Sequence, residues 1–337
     1  MSITAAEIAR MCNVSRTTVD RALKNKAGIS ESTRRRICEV AEKYDYRPNY
    51  LASSLSTGRT KAVGIIVFDL YNQHFSYMVG AVERYFARRG VFTYICLSEK
   101  DPQRERALVD NLIDRQVDGI LLVPINDSPA FIDHLRSLQI PIVAASNRLD
   151  GFPFVGGDNA AAVYQGMESF YQQGYRTVHF ICPPLRRKGE ENLFAQEERA
   201  NGYLRFKRDH RDMRGELITD ANYLECVEAL LDGPEKPGVF CSSDLFTLNI
   251  RKRIIDRGWQ VTEKCALMGF DGLEFLEHLS QRPPSVFYPA EEIGEASAKM
   301  LDDMIHGRPT EREVLLPCPL LPGAGEFANA QCMRPCG

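Results

Sequence analysis

The chain has 337 residues, 44% apolar and 26% charged, with 42 Lys/Arg against 45 Asp/Glu. That length exceeds one ordinary core and suggests two or three units. No apolar stretch approaches transmembrane length, and the N-terminus runs straight into a polar helix without a signal peptide, so a membrane or secreted class is excluded and a soluble cytoplasmic protein is expected.

Charge is divided unevenly along the chain. Residues 1–61 hold 12 Lys/Arg and 6 Asp/Glu, and the remainder holds 30 and 39. A basic head on an acidic body suits a phosphate backbone at one end only. The ten cysteines form no C-x-x-C pair, and Cys38, Cys96, Cys182 and Cys241 fall in strand-like or helical runs. They read as buried free thiols in a reducing compartment, with Cys332 and Cys336 as exposed and incidental.

In chain order, Thr4-Ala5-Ala6-Glu7 is a capping box that opens a helix reaching about Met11, with Ile8 and Met11 on its core face. Cys12-Asn13-Val14 makes a tight turn and Ser15 is a second N-cap. The following helix, to Leu23, puts Val19, Ala22 and Leu23 on one face and leaves Arg16, Thr17 and Arg21 outside. A second helix of this kind enters the DNA major groove N-terminus first. Asp20 is awkward beside phosphates and is expected to meet a cytosine amine or point away. A third helix follows Ser30, with a stripe of Ile37, Val40, Ala41 and Tyr44. Between Arg47-Pro48-Asn49 and Thr57-Gly58 lie roughly two helical turns, too few to persist alone. This hinge should form only when DNA and a second hinge helix support it, with Leu55 exposed as a wedge for the minor groove.

From Lys61 short apolar runs alternate with amphipathic helices, the mark of a parallel α/β sheet. Strands are expected at Ala62–Phe68, Val91–Leu97, Gly119–Val123 and Ile140–Ala144, then at Thr177–Cys182, Glu216–Thr219, Gly238–Cys241, Ala266–Met268 and Val286–Tyr288. Helices fill the gaps, and the last runs from Glu291 to His306. Periodicity ends near Leu320. The expected organisation is a helix-turn-helix domain at 1–46, a hinge at 47–59, a two-lobed body at 60–320 and an irregular tail at 321–337. Lobe one takes about 61–158 and 290–318, and lobe two about 159–289.

Enzyme signatures are missing. There is no phosphate-cradling glycine loop and no G-x-S-x-G elbow. The six histidines (His74, His134, His179, His210, His278, His306) never fall at metal-ligand spacing with one another or with Cys, so no catalytic residue, metal or cofactor is expected. Polar residues gather instead just past strand ends, where open α/β sheets bind ligands.

Val14-Ser15-Arg16-Thr17-Thr18-Val19-Asp20-Arg21-Ala22-Leu23, then Ser32-Thr33-Arg34, Tyr46-Arg47-Pro48-Asn49 and Ala52-x-x-Leu55, closely resemble the LacI/GalR family of bacterial transcription regulators. The resemblance continues along nearly the whole chain. It implies an N-terminal all-α helix-turn-helix domain plus a periplasmic-binding-protein-like core of two open parallel-sheet lobes. It implies DNA contacts from Ser15, Arg16, Thr17, Thr18, Arg21, Ser30 and Thr33 in the head, and from Asn49, Ala52 and Leu55 in the hinge. An effector would lie between the lobes, held by Asn147, Arg199, Asp244 and Asp271 and shaped by Asn72, His74, Phe75 and Tyr288. Carboxylates and an Arg fork suit the vicinal hydroxyls of a sugar or sugar derivative, and aromatic faces suit its ring. Taken alone, Asp244 or Asp271 would read as a helix N-cap and Phe75 as core.

The chain departs from the family pattern at Ser243, where Asn is usual before the equivalent of Asp244, and at Tyr288, where Gln is usual. His74 stands where an aromatic is common, and the long 183–199 segment carries Arg186, Arg187 and Lys188, either a reach toward an anionic group or a solvated basic loop. The expected function is a sequence-specific, homodimeric repressor on a pseudo-palindromic operator, switched by a small carbohydrate. The alternatives are a solute-binding or sensor protein without a DNA role, and an activator.

Overall fold

The computed structural model describes residues 3–46, 58–182 and 192–324, and the chain divides into two compact units, residues 1–60 and 61–337. In the first unit lie α1 (Ala5–Met11), α2 (Arg16–Leu23) and α3 (Glu31–Lys43). Each starts on the polar side chain that satisfies its free N–H groups. Thr4 Oγ1 accepts the Glu7 N–H at 3.3 Å while the Glu7 carboxylate accepts the Thr4 N–H at 2.7 Å. Ser15 Oγ accepts from Thr18 at 3.1 Å, and Ser30 Oγ from Thr33 at 3.2 Å.

The three helices bury Ile8, Ala9, Cys12, Val19, Ala22, Ile37 and Ala41. Two expectations are corrected here. Met11 is 55% exposed, because the buried stripe of α1 runs through Ile8, Ala9 and Cys12 and leaves Met11 beside it. Tyr44 is also exposed, since α3 ends at Lys43 and the chain turns away from helical phase; Tyr46 packs on the core instead.

The second unit contains two six-stranded sheets in series. The first has the order β11-β5-β4-β3-β1-β2, with every pairing parallel. Its strands are β1 (Ala62–Val67), β2 (Phe92–Leu97), β3 (Gly119–Leu122), β4 (Ile142–Ala145), β5 (Phe154–Gly157) and β11 (Glu313–Leu316). The second has the order β12-β10-β9-β8-β6-β7, parallel except for the β10–β12 pair. Its strands are β6 (Val178–Ile181), β7 (Leu217–Ile218), β8 (Gly238–Cys241), β9 (Ala266–Asp271), β10 (Ser285–Phe287) and β12 (Leu320–Leu321). Strands covered on both faces read as unbroken apolar runs, and all six residues of β1 are buried.

Lobe one takes the helices Gln73–Ala87, Pro102–Asp114, Pro129–Ser137 and Ala290–Ile305; lobe two takes Asn159–Gln172, Phe194–Asp209, Tyr223–Leu231 and Asp244–Asp256. Helix Ala290–Ile305 lies close along Gln73–Ala87 at Gly294, where a Cβ would stand 2.4 Å from the Met78 carbonyl oxygen. The chain passes between the lobes after β5, after β10 and between β11 and β12.

Three strands were absent from the expected set: β5, β11 and β12. Leu320 and Leu321 are not irregular, for they close the edge of the second sheet against Ser285 and Val286. Two residues are too few to carry a period.

Candidate functional site

The polar surface of the head separates into side chains already committed and side chains left free. Ser15 and Thr18 hydroxyls sit 2.8 Å apart, as do those of Ser30 and Thr33, so all four serve the helix starts. Arg16, Thr17 and Arg21 are exposed on α2. The Arg21 guanidinium lies near Gly28, 3.5 Å from where a Cβ would stand. Asp20 pairs with Lys24 at 2.8 Å, which cancels its charge locally. Asn49, Ala52 and Leu55 lie outside the described residues, as do Arg186, Arg187, Lys188, Cys332 and Cys336.

In the body, the C-terminal ends of strands from both lobes face a cleft of about 650 Å³. Its floor is built on Arg199, 6% exposed, which leaves helix Phe194–Asp209 and is fixed on every side. Nε donates to Asn159 Oδ1 at 2.9 Å, and Nη1 donates to the Ser242 carbonyl at 2.5 Å and lies 3.5 Å from Asp271 Oδ1. The guanidinium stacks on Phe270 at 3.6 Å and faces Tyr288 at 5.5 Å. Asn159 is itself oriented by donating to the Gly157 carbonyl at 3.1 Å.

Asp271 ends β9 with φ at +112°, a strained value for a residue with a side chain. Ser243 Oγ donates to its other oxygen at 2.7 Å. Burial pushes the Asp271 carboxyl above its ordinary range, opposed by the Arg199 charge and the Ser243 hydroxyl.

His74 forms the wall from lobe one. Its Nε2 lies 3.3 Å from Ser146 Oγ, and its ring meets Tyr288 edge-on at 4.6 Å and Phe75 at 4.7 Å. Nδ1 is buried without a hydrogen-bond partner. Burial, assisted by Arg199, pushes the imidazole down to about 3, so the ring is neutral at any physiological pH. Phe75 serves both the cleft and the core, as 6% exposure and a 4.3 Å contact with Phe68 require. Tyr288 presents its ring while its hydroxyl accepts the Gly157 N–H at 3.1 Å. Asn72 caps helix Gln73–Ala87 by accepting from the His74 N–H at 3.1 Å and lines the rim.

Asp244 is not part of this surface. It is fully buried behind the floor, where Oδ2 accepts the Leu273 N–H at 2.9 Å and Oδ1 accepts from Ser285 Oγ at 2.7 Å. It is the first residue of helix Asp244–Asp256, so its side chain turns back toward the β9–β10 connection. The N-cap facing the cleft is Ser243.

Asn147 lines the cleft, but its amide is committed to joining the lobes. Nδ2 donates to the carbonyls of Pro124 and Asn192, and Oδ1 accepts the Ala195 N–H. Asn192 answers from lobe two: its N–H donates to the Ile125 carbonyl at 2.6 Å and its Nδ2 to the Arg148 carbonyl at 2.7 Å. Phe194 completes the latch against Phe154 and the Arg148 guanidinium. Arg148 pairs with Glu313 of β11, away from the cleft.

Asn192 and Gln196, both of which line the cleft, went unnoticed in the sequence, where they carry no motif. Ser243 could have been found from its substitution for Asn. Among the described residues there is no metal-ligating cluster and no helix long and apolar enough to cross a membrane.

Residues 4–49 match the model of the bacterial regulatory proteins, lacI family, and residues 167–324 match the periplasmic binding protein-like domain. Catabolite control protein A of Priestia megaterium is 26% identical over 310 residues, covering 89% of this chain and 92% of that protein. The crystal structure of the Lac repressor dimer bound to operator and the anti-inducer ONPF superposes with a TM-score of 0.83 at 18% identity, over 97% of this chain and 99% of that one. The complex of the transcriptional regulator CelR with cellobiose gives 0.66 at 24% identity, over 95% and 99%. The chain thus carries a lacI-type DNA-binding domain followed by a periplasmic-binding-protein-like domain.

Proposed function

We propose that this chain is a DNA-binding repressor of the lacI type, acting in the cytoplasm as a homodimer, whose operator affinity is set by a polyhydroxylated effector in the interlobe cleft. The observation that carries the reading is the buried Arg199–Asp271–Ser243 cluster at the cleft floor. Ionic groups buried this deeply are costly unless they are fully hydrogen-bonded, and this set still faces open volume. Paired hydroxyls would complete it, with Phe75 and Tyr288 as flat walls.

In the head, Arg16, Thr17 and Arg21 would read base edges while the caps Ser15, Thr18, Ser30 and Thr33 lie along the phosphates. Asn49, Ala52 and Leu55 would complete the contact from the hinge. Effector binding would change the angle between the lobes and so the spacing of two paired hinges. Couplings of this type are typically about 1–3 kcal/mol. No catalytic role is assigned to any residue.

Thermal unfolding of the full chain against sugars and sugar acids tests the reading. A true effector at about 100 times its Kd adds roughly 2.7 kcal/mol. Asp271→Asn should remove that response and leave operator retardation intact on gels. An Asp271→Asn variant that still responds to the same compound at the same concentration would remove the floor cluster from the site.

A further inference from the structure

Glu105 stands where helix Pro102–Asp114 otherwise buries apolar residues. It shares the inward stripe with Val109 and Leu112 and is completely buried. A carboxyl in such a place is costly unless donors match its oxygens. The donors are two consecutive backbone N–H groups, of Ile125 and Asn126, in the turn that follows β3. Resting on the effector reading above, we propose that Glu105 is a positioning residue of the cleft. By holding this turn from behind, it seats helix Phe194–Asp209 of lobe two, and with that helix Arg199.

The turn has two sides. Pro124 has no N–H, so every backbone N–H of residues 124–126 goes to Glu105. The carbonyls serve the joint between the lobes instead. That of Pro124 accepts from Asn147 Nδ2 at 3.1 Å, and that of Ile125 accepts the Asn192 N–H of lobe two at 2.6 Å. Asn147 Nδ2 also donates to the Asn192 carbonyl at 3.0 Å. The backbone of Asn192 is thus held at both its N–H and its carbonyl, once by the turn directly and once through Asn147.

The path continues into a helix start. The first N–H groups of a helix have no partner within it, and Leu193, at the N-cap of Phe194–Asp209, provides no side-chain bond. The Phe194 N–H goes to Asn192 Oδ1 at 3.1 Å, and the Ala195 N–H goes to Asn147 Oδ1 at 3.2 Å. One cap therefore comes from the opposite lobe, and the other from a residue pinned to it. Arg199 stands one turn beyond Ala195, on the same face. The helix that carries the cation of the cleft floor is capped by two side chains that rest on the Glu105 turn. The bonds of Glu105 lie within lobe one, so its hold on lobe two passes through that turn.

Amide NMR spectra of the full chain test this without a ligand. In Glu105→Ala the Asn192 and Ala195 amide protons should move upfield as their hydrogen bonds lengthen, and the Arg199 Nε–H resonance should move with them. The amides of β8 and β9, bonded within the lobe-two sheet, should stay in place. Glu105→Gln keeps one acceptor and should show the same pattern at smaller size. Should Glu105→Ala not fold, Glu105→Gln decides alone by that pattern. Movement of Ile125 and Asn126 with Asn192, Ala195 and Arg199 unmoved would overturn the proposal, because the turn would then pass nothing on. Equal movement throughout β8, β9 and the helix start would overturn it as well, since Glu105 would then serve the fold as a whole. Either failure leaves the effector reading in place, which Asp271→Asn decides separately.

Discussion

Glu105, in helix Pro102–Asp114 of lobe one, is completely buried, and its two carboxyl oxygens accept the N–H groups of Ile125 and Asn126, each at 3.0 Å. Burial pushes this carboxyl from its ordinary 4.5 up to about 7, although the two N–H donors pull it down. A carboxyl raised by folding holds its proton more tightly in the native state. Its contribution to stability is therefore complete below pH 4.5 and is lost as the pH climbs through 7. With those two values, the loss between pH 5 and pH 8 is about 2–3 kcal/mol. Glu105→Gln removes the titration and leaves the volume unchanged, so other ionising groups cancel when variant and parent are compared. Urea unfolding followed by far-UV circular dichroism should show the variant less stable than the parent by about 2–3 kcal/mol more at pH 5 than at pH 8. A difference that stays constant across that range, or grows toward pH 8, would mean that the two N–H donors outweigh burial and keep the carboxylate ionised.

Three further outcomes are expected. A Cβ at Gly269 would stand 2.0 Å from Asp244 Oδ1, so Gly269→Ala should displace Asp244 from Leu273 and Ser285 at about 1–3 kcal/mol for each group left unpaired; urea melts followed by the fluorescence of Trp259, the chain's one tryptophan, would register it. Thr4→Ala breaks the capping box and should cost the head about 1 kcal/mol, measured as a lowered head transition in calorimetric scans. Arg21→Ala should weaken binding to an operator selected from random DNA by about 1–3 kcal/mol and relax one base position per half-site; unchanged affinity and preference in a mobility-shift titration would mean α2 docks differently.

The sheets were legible in the sequence wherever a strand is buried on both faces, as in β1, because burial writes an unbroken apolar run. Phe154-Val155-Gly156-Gly157 is equally buried, but its two glycines mask it. In β11, half-buried residues alternate with exposed ones over only four positions. The cleft was legible as a set of strand ends, not as a set of side-chain directions. Asp244 and Asp271 both follow strands, and spacing does not say that one turns behind the floor while the other faces it. Asn147 fell in the expected place but with its amide committed to the opposite lobe. Nothing in the sequence marks Asn192, because each of its bonds across to lobe one has a backbone group at one end: the carbonyls of Ile125 and Arg148, and its own carbonyl facing Asn147.

The passage from β11 into β12 bears on how the chain is made. Residues 313–321 supply the outer strand of lobe one and then, three residues later, the outer strand of lobe two. Synthesis delivers them after every other strand in the described chain. Until they arrive, β5 and β10 each present an open row of backbone donors and acceptors, which is a template for pairing with another chain. Neither lobe can finish ahead of the other, and a growing polypeptide carries two unsealed edges at once. Premature termination shortly before Glu313 would leave both in place permanently. Such a product should be recovered in the insoluble fraction, since its ten-strand remnant exposes an adhesive border on each lobe.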